Sequence, residues 1–117
     1  MYEVTKTFEI SAAHHLTLDY PSKCKALHGH NWKIRVTCQS EDLDNNGMVI
    51  DFSKIKTEVA QELDHTDISE KIVIFGKLVN PTAENIARWI AVKIGDKCVR
   101  VSVEEAQGNE AVWSKAV

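Results

Sequence analysis

Two stretches of strict alternation, joined by a polar loop, constrain this chain more than any other feature. From residue 2 to 14, Tyr2, Val4, Phe8, Ile10 and Ala12 share one parity, broken only by Lys6. Glu3, Thr5, Thr7, Glu9 and Ser11 hold the other. From about residue 28, Trp32, Ile34, Val36 and Cys38 alternate with Lys33, Arg35, Thr37 and Gln39. Period-two patterning marks half-buried strands. "LTLDYPSKCKAL" breaks it, and Tyr20-Pro21 disfavours helix there. The two strands are expected to pair antiparallel, the end of the first beside the start of the second.

Parity also carries chemistry. His14 continues the even series of the first strand, and His28 and His30 begin the even series of the second. Residues two apart share a face, so three of the chain's five histidines are expected at one end of the sheet. Strands lie about 4.8 Å apart and same-face residues about 6.7 Å apart. Imidazoles on such positions can lean toward one ion at ~2.0–2.1 Å. Three neutral nitrogens with one vacant position is how catalytic zinc is usually held. Gly29 is expected to let the backbone bend at the chelate. By itself a His-x-His pair is more often a surface strand feature; the matching parity of His14 is what favours a metal. His15 is expected to face solvent.

Helical spacing takes over at "DFSKIKTEVAQELDH", where Ile55, Val59 and Leu63 recur every fourth residue and Ser53 is a plausible N-cap. "NPTAENIARWIAVKIG" reads as a second helix. Either Thr82 caps it or Pro81 takes its first position, Ile86, Ile90 and Ile94 form its inner stripe, and Gly95 stops it. Residues 98–106 alternate again through Val99, Val101 and Val103, "QGN" is a turn, and 110–116 make a last strand. The order ββααββ predicts an α+β fold: a four-stranded antiparallel sheet with both helices on one face. One domain is expected over residues 1–117.

Composition narrows the partners. A net charge of −3 excludes a broad basic face, so no nucleic-acid partner is expected. No apolar run approaches the ~20 residues of a membrane span. "MYEVTKTFEI" alternates and carries Lys6, unlike a signal peptide. Three cysteines cannot all pair with one another, and free thiols fit a reducing cytoplasm.

Four more residues call for an explanation. Cys38 and Cys98 sit inside strands, as small buried hydrophobes do. Cys24 lies instead in a polar loop between Lys23 and Lys25, cations that favour a thiolate. Asp64-His65 ends the first helix; such a histidine can answer the helix dipole or, with its carboxylate, carry a proton. Glu105 follows Val101 and Val103 on their parity, whereas Glu104 points away. A carboxylate there needs a partner, either a lysine or a ligand with a planar amine-plus-NH edge.

The pieces "FEISAAHHL", "CKALHGHNW", "VIDFSKIK", "LDHTDI", "NPTAENIARWI" and "VSVEEAQG" span residues 8–108 in one order. Together they resemble the tunnelling-fold 6-pyruvoyltetrahydropterin synthase superfamily. The resemblance implies zinc on His14, His28 and His30, Cys24 as proton acceptor, Asp64 and His65 as proton relay, and Glu105 as pterin anchor, counted also with the relay. It implies a homo-oligomer, a hexamer or tetramer, whose sheets join into a β-barrel with active sites at subunit junctions. Thr82 and Lys25 are expected to join Glu105 in substrate binding, and Lys23, Lys25 and Lys33 are candidates to attract a triphosphate. The spacing of three residues between Cys24 and His28 is similar to the branch that makes 6-carboxy-5,6,7,8-tetrahydropterin for queuosine and other deazapurines. The implied reaction takes 7,8-dihydroneopterin triphosphate to that product, acetaldehyde and triphosphate. The alternatives are a 6-pyruvoyltetrahydropterin synthase and a non-catalytic, zinc-stabilised pterin-binding oligomer.

Overall fold

Alternation becomes two long strands in the computed structural model, which describes residues 1–116. β1 (Tyr2–His14) and β2 (His28–Ser40) pair antiparallel over their full lengths, with His14 opposite His28. Their even face is buried through Phe8, Ile10, Ala12, Trp32, Ile34 and Val36. Thr5, Thr7, Glu9, Lys33 and Arg35 face solvent.

α1 (Phe52–Leu63) follows, then the short strands β3 (Thr66–Asp67), β4 (Val73–Ile74) and β5 (Lys77–Leu78). α2 (Ala83–Ile94), β6 (Cys98–Ala106) and β7 (Asn109–Ser114) complete the order. Ile55, Val59 and Leu63 of α1 and Ile86, Ala87 and Ile90 of α2 share one core cluster with the even sheet face. Both helices therefore cover the same face, as the element order predicts.

The sheet itself differs from expectation. It has five strands in the order β3-β1-β2-β6-β7, rather than four, and β3 runs parallel to β1. A separate hairpin of β4 and β5 precedes α2. Two-residue strands are too short to show a period, so patterning cannot reveal them. Asp51, rather than Ser53, caps α1: its carboxylate accepts from the Ser53 backbone N–H at 2.8 Å, and Ser53 Oγ donates to the same carboxylate oxygen at 2.7 Å.

At α2 the choice falls on Thr82, whose hydroxyl accepts from the Asn85 N–H at 3.2 Å, while Gly95 closes the helix with φ 105°. Thr82→Ala is expected to lower stability by about 1 kcal/mol, measured as a shift in the urea midpoint at constant slope. The last hairpin turns at Gln107-Gly108, and β7 ends at Ser114, short of the expected 116.

Candidate metal and substrate site

The two long strands deliver the histidines as parity requires. His14 Nε2, His28, His30 and a Glu105 carboxylate oxygen form a group whose ligand atoms all lie within 4.8 Å of one another. The ring centroids are 4.6 Å apart for His14 and His28, 4.9 Å for His28 and His30, and 5.2 Å for His14 and His30. Trp32 walls the group, its ring 4.9 Å from His14 and 5.1 Å from His30. The Trp32 indole N–H donates to the Ala12 carbonyl at 3.1 Å, which satisfies its one buried donor.

Backbone carbonyls set two of the ring orientations. His14 Nδ1 donates to the Pro81 carbonyl at 2.7 Å, and His28 Nδ1 donates to the Ala26 carbonyl at 2.8 Å. A carbonyl only accepts, so the proton is fixed on Nδ1 and Nε2 is left as the ligand atom. Buried His14 Nε2 and His30 Nε2 have no hydrogen-bond partner among the described residues. Glu105 Oε1 lies 3.2 Å and 3.0 Å from them. Burial pushes the His30 imidazole below its ordinary pKa; Glu105 opposes this, and His14 and His28 reinforce it.

One carboxylate does not neutralise three imidazolium ions at these separations. Neutral rings with lone pairs turned inward, facing a carboxylate oxygen, are stable around a cation. A tetrahedral shell at ~2.0–2.1 Å spaces its donors about 3.4 Å apart. The distances from Glu105 to the two rings are close to that spacing. The donor set suits a metal ion, and nitrogen-rich ligation suits zinc or a neighbouring transition metal.

Glu105 arrives here through a β-bulge. The ladder of β6 with β7 matches Glu104 to Glu110 and Ala106 to Asn109, which leaves Glu105 as the extra residue. Glu105 also borders a cavity of about 310 Å³ with Ala83, Glu84, Asn109 and Glu110. That cavity opens between the start of α2 and the outermost strand, and three carboxylates line it.

Asp64 and His65 stand at the other side of the sheet. Asp64 is the C-cap of α1 rather than part of the helix, and His65 follows with φ 60°. A left-handed histidine is strained and needs anchoring. Ser11 supplies it: its carbonyl accepts from the His65 N–H at 2.6 Å, and its N–H donates to Asp64 at 2.8 Å. The Ser11 amide, with His65, holds the Asp64 carboxyl below its ordinary pKa. Asp64 Oδ1 is 3.1 Å from Nδ1 of the largely exposed His65 ring. His65 and His30 line one open cleft of about 470 Å³, together with Ser11, Gly29, Asn31 and Asp67.

Gly29 plays another part than the expected bend. It sits opposite Ala13 in a regular ladder, and a Cβ there would meet only the Ala12 carbonyl, at 3.9 Å. Its missing side chain leaves room in the cleft beside His65.

Cys24 and Lys25 are not in the histidine group. They lie in a short 3-10 turn, Lys23–Lys25, with Cys24 half-buried and Lys25 exposed. The Ser22 hydroxyl caps this turn, and the Leu16 N–H donates to the Cys24 carbonyl at 2.9 Å, which ties the loop to the end of β1. Thr82 follows Pro81, whose carbonyl orients His14. His15 is exposed. The Pro81 and Ala26 carbonyls are invisible to sequence patterning, since backbone acceptors have no residue signature.

Known proteins resemble this chain in sequence and fold. The chain is 36% identical over 102 residues to the 6-carboxy-5,6,7,8-tetrahydropterin synthase of Synechocystis, covering 80% of this chain and 75% of that one. It is 32% identical over 115 residues to the Rickettsia bellii protein of the same name, covering 83% of each. The structure of Caenorhabditis elegans 6-pyruvoyl tetrahydropterin synthase superposes with a TM-score of 0.74 at 26% identity, over 98% of this chain and 96% of that one. The family model described as 6-pyruvoyl tetrahydropterin synthase matches residues 3–116, so the chain belongs to that family of pterin synthases.

Proposed function

We propose that the chain is a zinc-dependent 6-carboxy-5,6,7,8-tetrahydropterin synthase acting on 7,8-dihydroneopterin triphosphate. The observation that carries this reading is the convergence of three imidazoles on one point, with Nε2 of His14 and of His28 freed by the Pro81 and Ala26 carbonyls. The names of the Synechocystis and Rickettsia relatives support the carboxy product.

His14, His28 and His30 would hold the zinc. Bound there, zinc supplies Lewis-acid polarisation of side-chain oxygens, which acidifies the neighbouring C–H bonds. Glu105 faces the acidic cavity and accepts from the 2-amino/N3 edge of the pterin with two hydrogen bonds. Thr82, at the start of α2, borders the same region through Ala83 and Glu84. Cys24 takes a proton from the side chain. His65 carries protons, and the Asp64 carboxylate beside it orients and stabilises its charged form. Lys25 draws the triphosphate toward the loop.

The open sheet edges point to an assembly. Among the described residues, β1 pairs on one side with β2 and on the other only through Ala12 and Ala13, and β7 is the far edge. β1, β2, β6 and β7 alternate in direction. A head-to-tail ring would therefore set β7 antiparallel to β1 of the next copy and close a barrel. The Glu105 cavity at one edge would then meet the Asp64–His65 pair of a neighbour at the other. Among the described residues, no helix is long and apolar enough to cross a membrane.

Incubation of the purified protein with dihydroneopterin triphosphate tests the reading. Mass analysis is expected to find 6-carboxytetrahydropterin, with acetaldehyde and triphosphate released together. A 6-pyruvoyl product without acetaldehyde would assign the sibling activity, which the likeness to the C. elegans enzyme favours.

A further inference from the structure

We infer that Glu105 is a switch between two partners: it is the fourth ligand of the metal site when no pterin is present, and the pterin draws it away. The inference rests on the proposed pterin chemistry and adds a state of the site that precedes substrate.

Three observations converge on this carboxylate. Its Oε1 is 3.2 Å from His14 Nε2 and 3.0 Å from His30 Nε2, within the shell an ion would occupy. Nε2 of each of these rings is buried and has no hydrogen-bond partner among the described residues, so the carboxylate is not held there by donors. The same residue borders the 310 Å³ cavity beside α2.

One carboxylate thus faces two places that would both use it. The cavity suits a ligand rich in N–H donors, because Glu84, Glu105 and Glu110 all line it. Glu110 is already engaged there, accepting from the Ser102 hydroxyl at 2.6 Å. Glu105 is the extra residue of a bulge, where the ladder constrains it least. Its side chain retains 26% exposure, so neither position is locked by packing.

The consequence is a coordination site that opens only when it is needed. Without a pterin, Glu105 closes the fourth position and keeps the ion bound tightly. An amine-plus-NH edge entering the cavity competes for the carboxylate. Its departure vacates the position that a substrate side-chain oxygen can then take.

The test uses the metal alone first. Zinc affinity is measured by competition with a chromophoric chelator for the wild type, Glu105→Gln and Glu104→Gln. Glu104 lies opposite Lys33 and Glu110 in the sheet, so its variant carries the same charge change outside the metal group. Glu105→Gln is expected to weaken zinc at least about 10-fold, and Glu104→Gln to leave it unchanged. The cobalt(II) form is then titrated with plain pterin, which lacks a side chain to reach the ion. Its visible spectrum is expected to change in the wild type and to stay constant in Glu105→Gln.

Equal zinc affinity in Glu105→Gln and wild type overturns the switch. So does a wild-type cobalt spectrum indifferent to pterin. Turnover of dihydroneopterin triphosphate by the same wild-type preparation reports separately on the activity. Turnover with either negative result leaves the enzyme reading standing without the switch.

Discussion

His28→Ala is expected to fold as the wild type does and to lose its tightly held ion. His28 is only half-buried, and its removal opens no cavity in the core. His14 is fully buried beside Trp32, so its removal would mix loss of metal with loss of packing. Structural zinc sites are worth about 10–16 kcal/mol at neutral pH over a full ligand set. One ligand's share is roughly 3–4 kcal/mol, which corresponds to a loss of about 10² to 10³ in affinity. Chelator competition reads the affinity, and turnover is expected to fall with it. An unchanged affinity would remove His28 from the ligand set.

The second large effect belongs to Cys24. Positioned proton transfer contributes about 10² to 10⁴ in rate. Cys24→Ala is therefore expected to lower kcat by that factor while zinc stays bound. The half-buried thiol sits in the 3-10 turn outside the histidine group, so removing it leaves the ligands in place. Wild-type turnover in Cys24→Ala would take the proton-acceptor role from this residue. A protein that binds pterins without turning them over would show the same behaviour with and without the thiol. Zinc content and turnover measured together therefore separate a chemical defect from a lost metal.

How much of this was legible beforehand follows from where each feature is encoded. A strand's period is two, so the faces of β1 and β2 were readable residue by residue, and His14, His28 and His30 meet where parity puts them. Parity also selected Glu105 over Glu104, although a bulge intervenes between Glu104 and Ala106. The pattern did not show that Glu105 reaches the histidines themselves. β3 is not legible in the sequence because two residues have no period, yet its start at Thr66 puts His65 against β1. The left-handed His65 is encoded in tertiary anchoring by Ser11, which lies 54 positions upstream. Asp51 and Ser53 are both good caps, and only the geometry distinguishes capper from supporter. Glycine permits a bend, but the ladder at Gly29 keeps its register and the glycine leaves the cleft open.

The proposed chemistry requires a single ion among the three rings. Anomalous diffraction at the zinc absorption edge, from crystals of the protein as purified, tests this most directly. The predicted result is one peak per chain, ~2.0–2.1 Å from Nε2 of His14, His28 and His30. A map with no peak there, or with its only peak at other residues, would contradict the account.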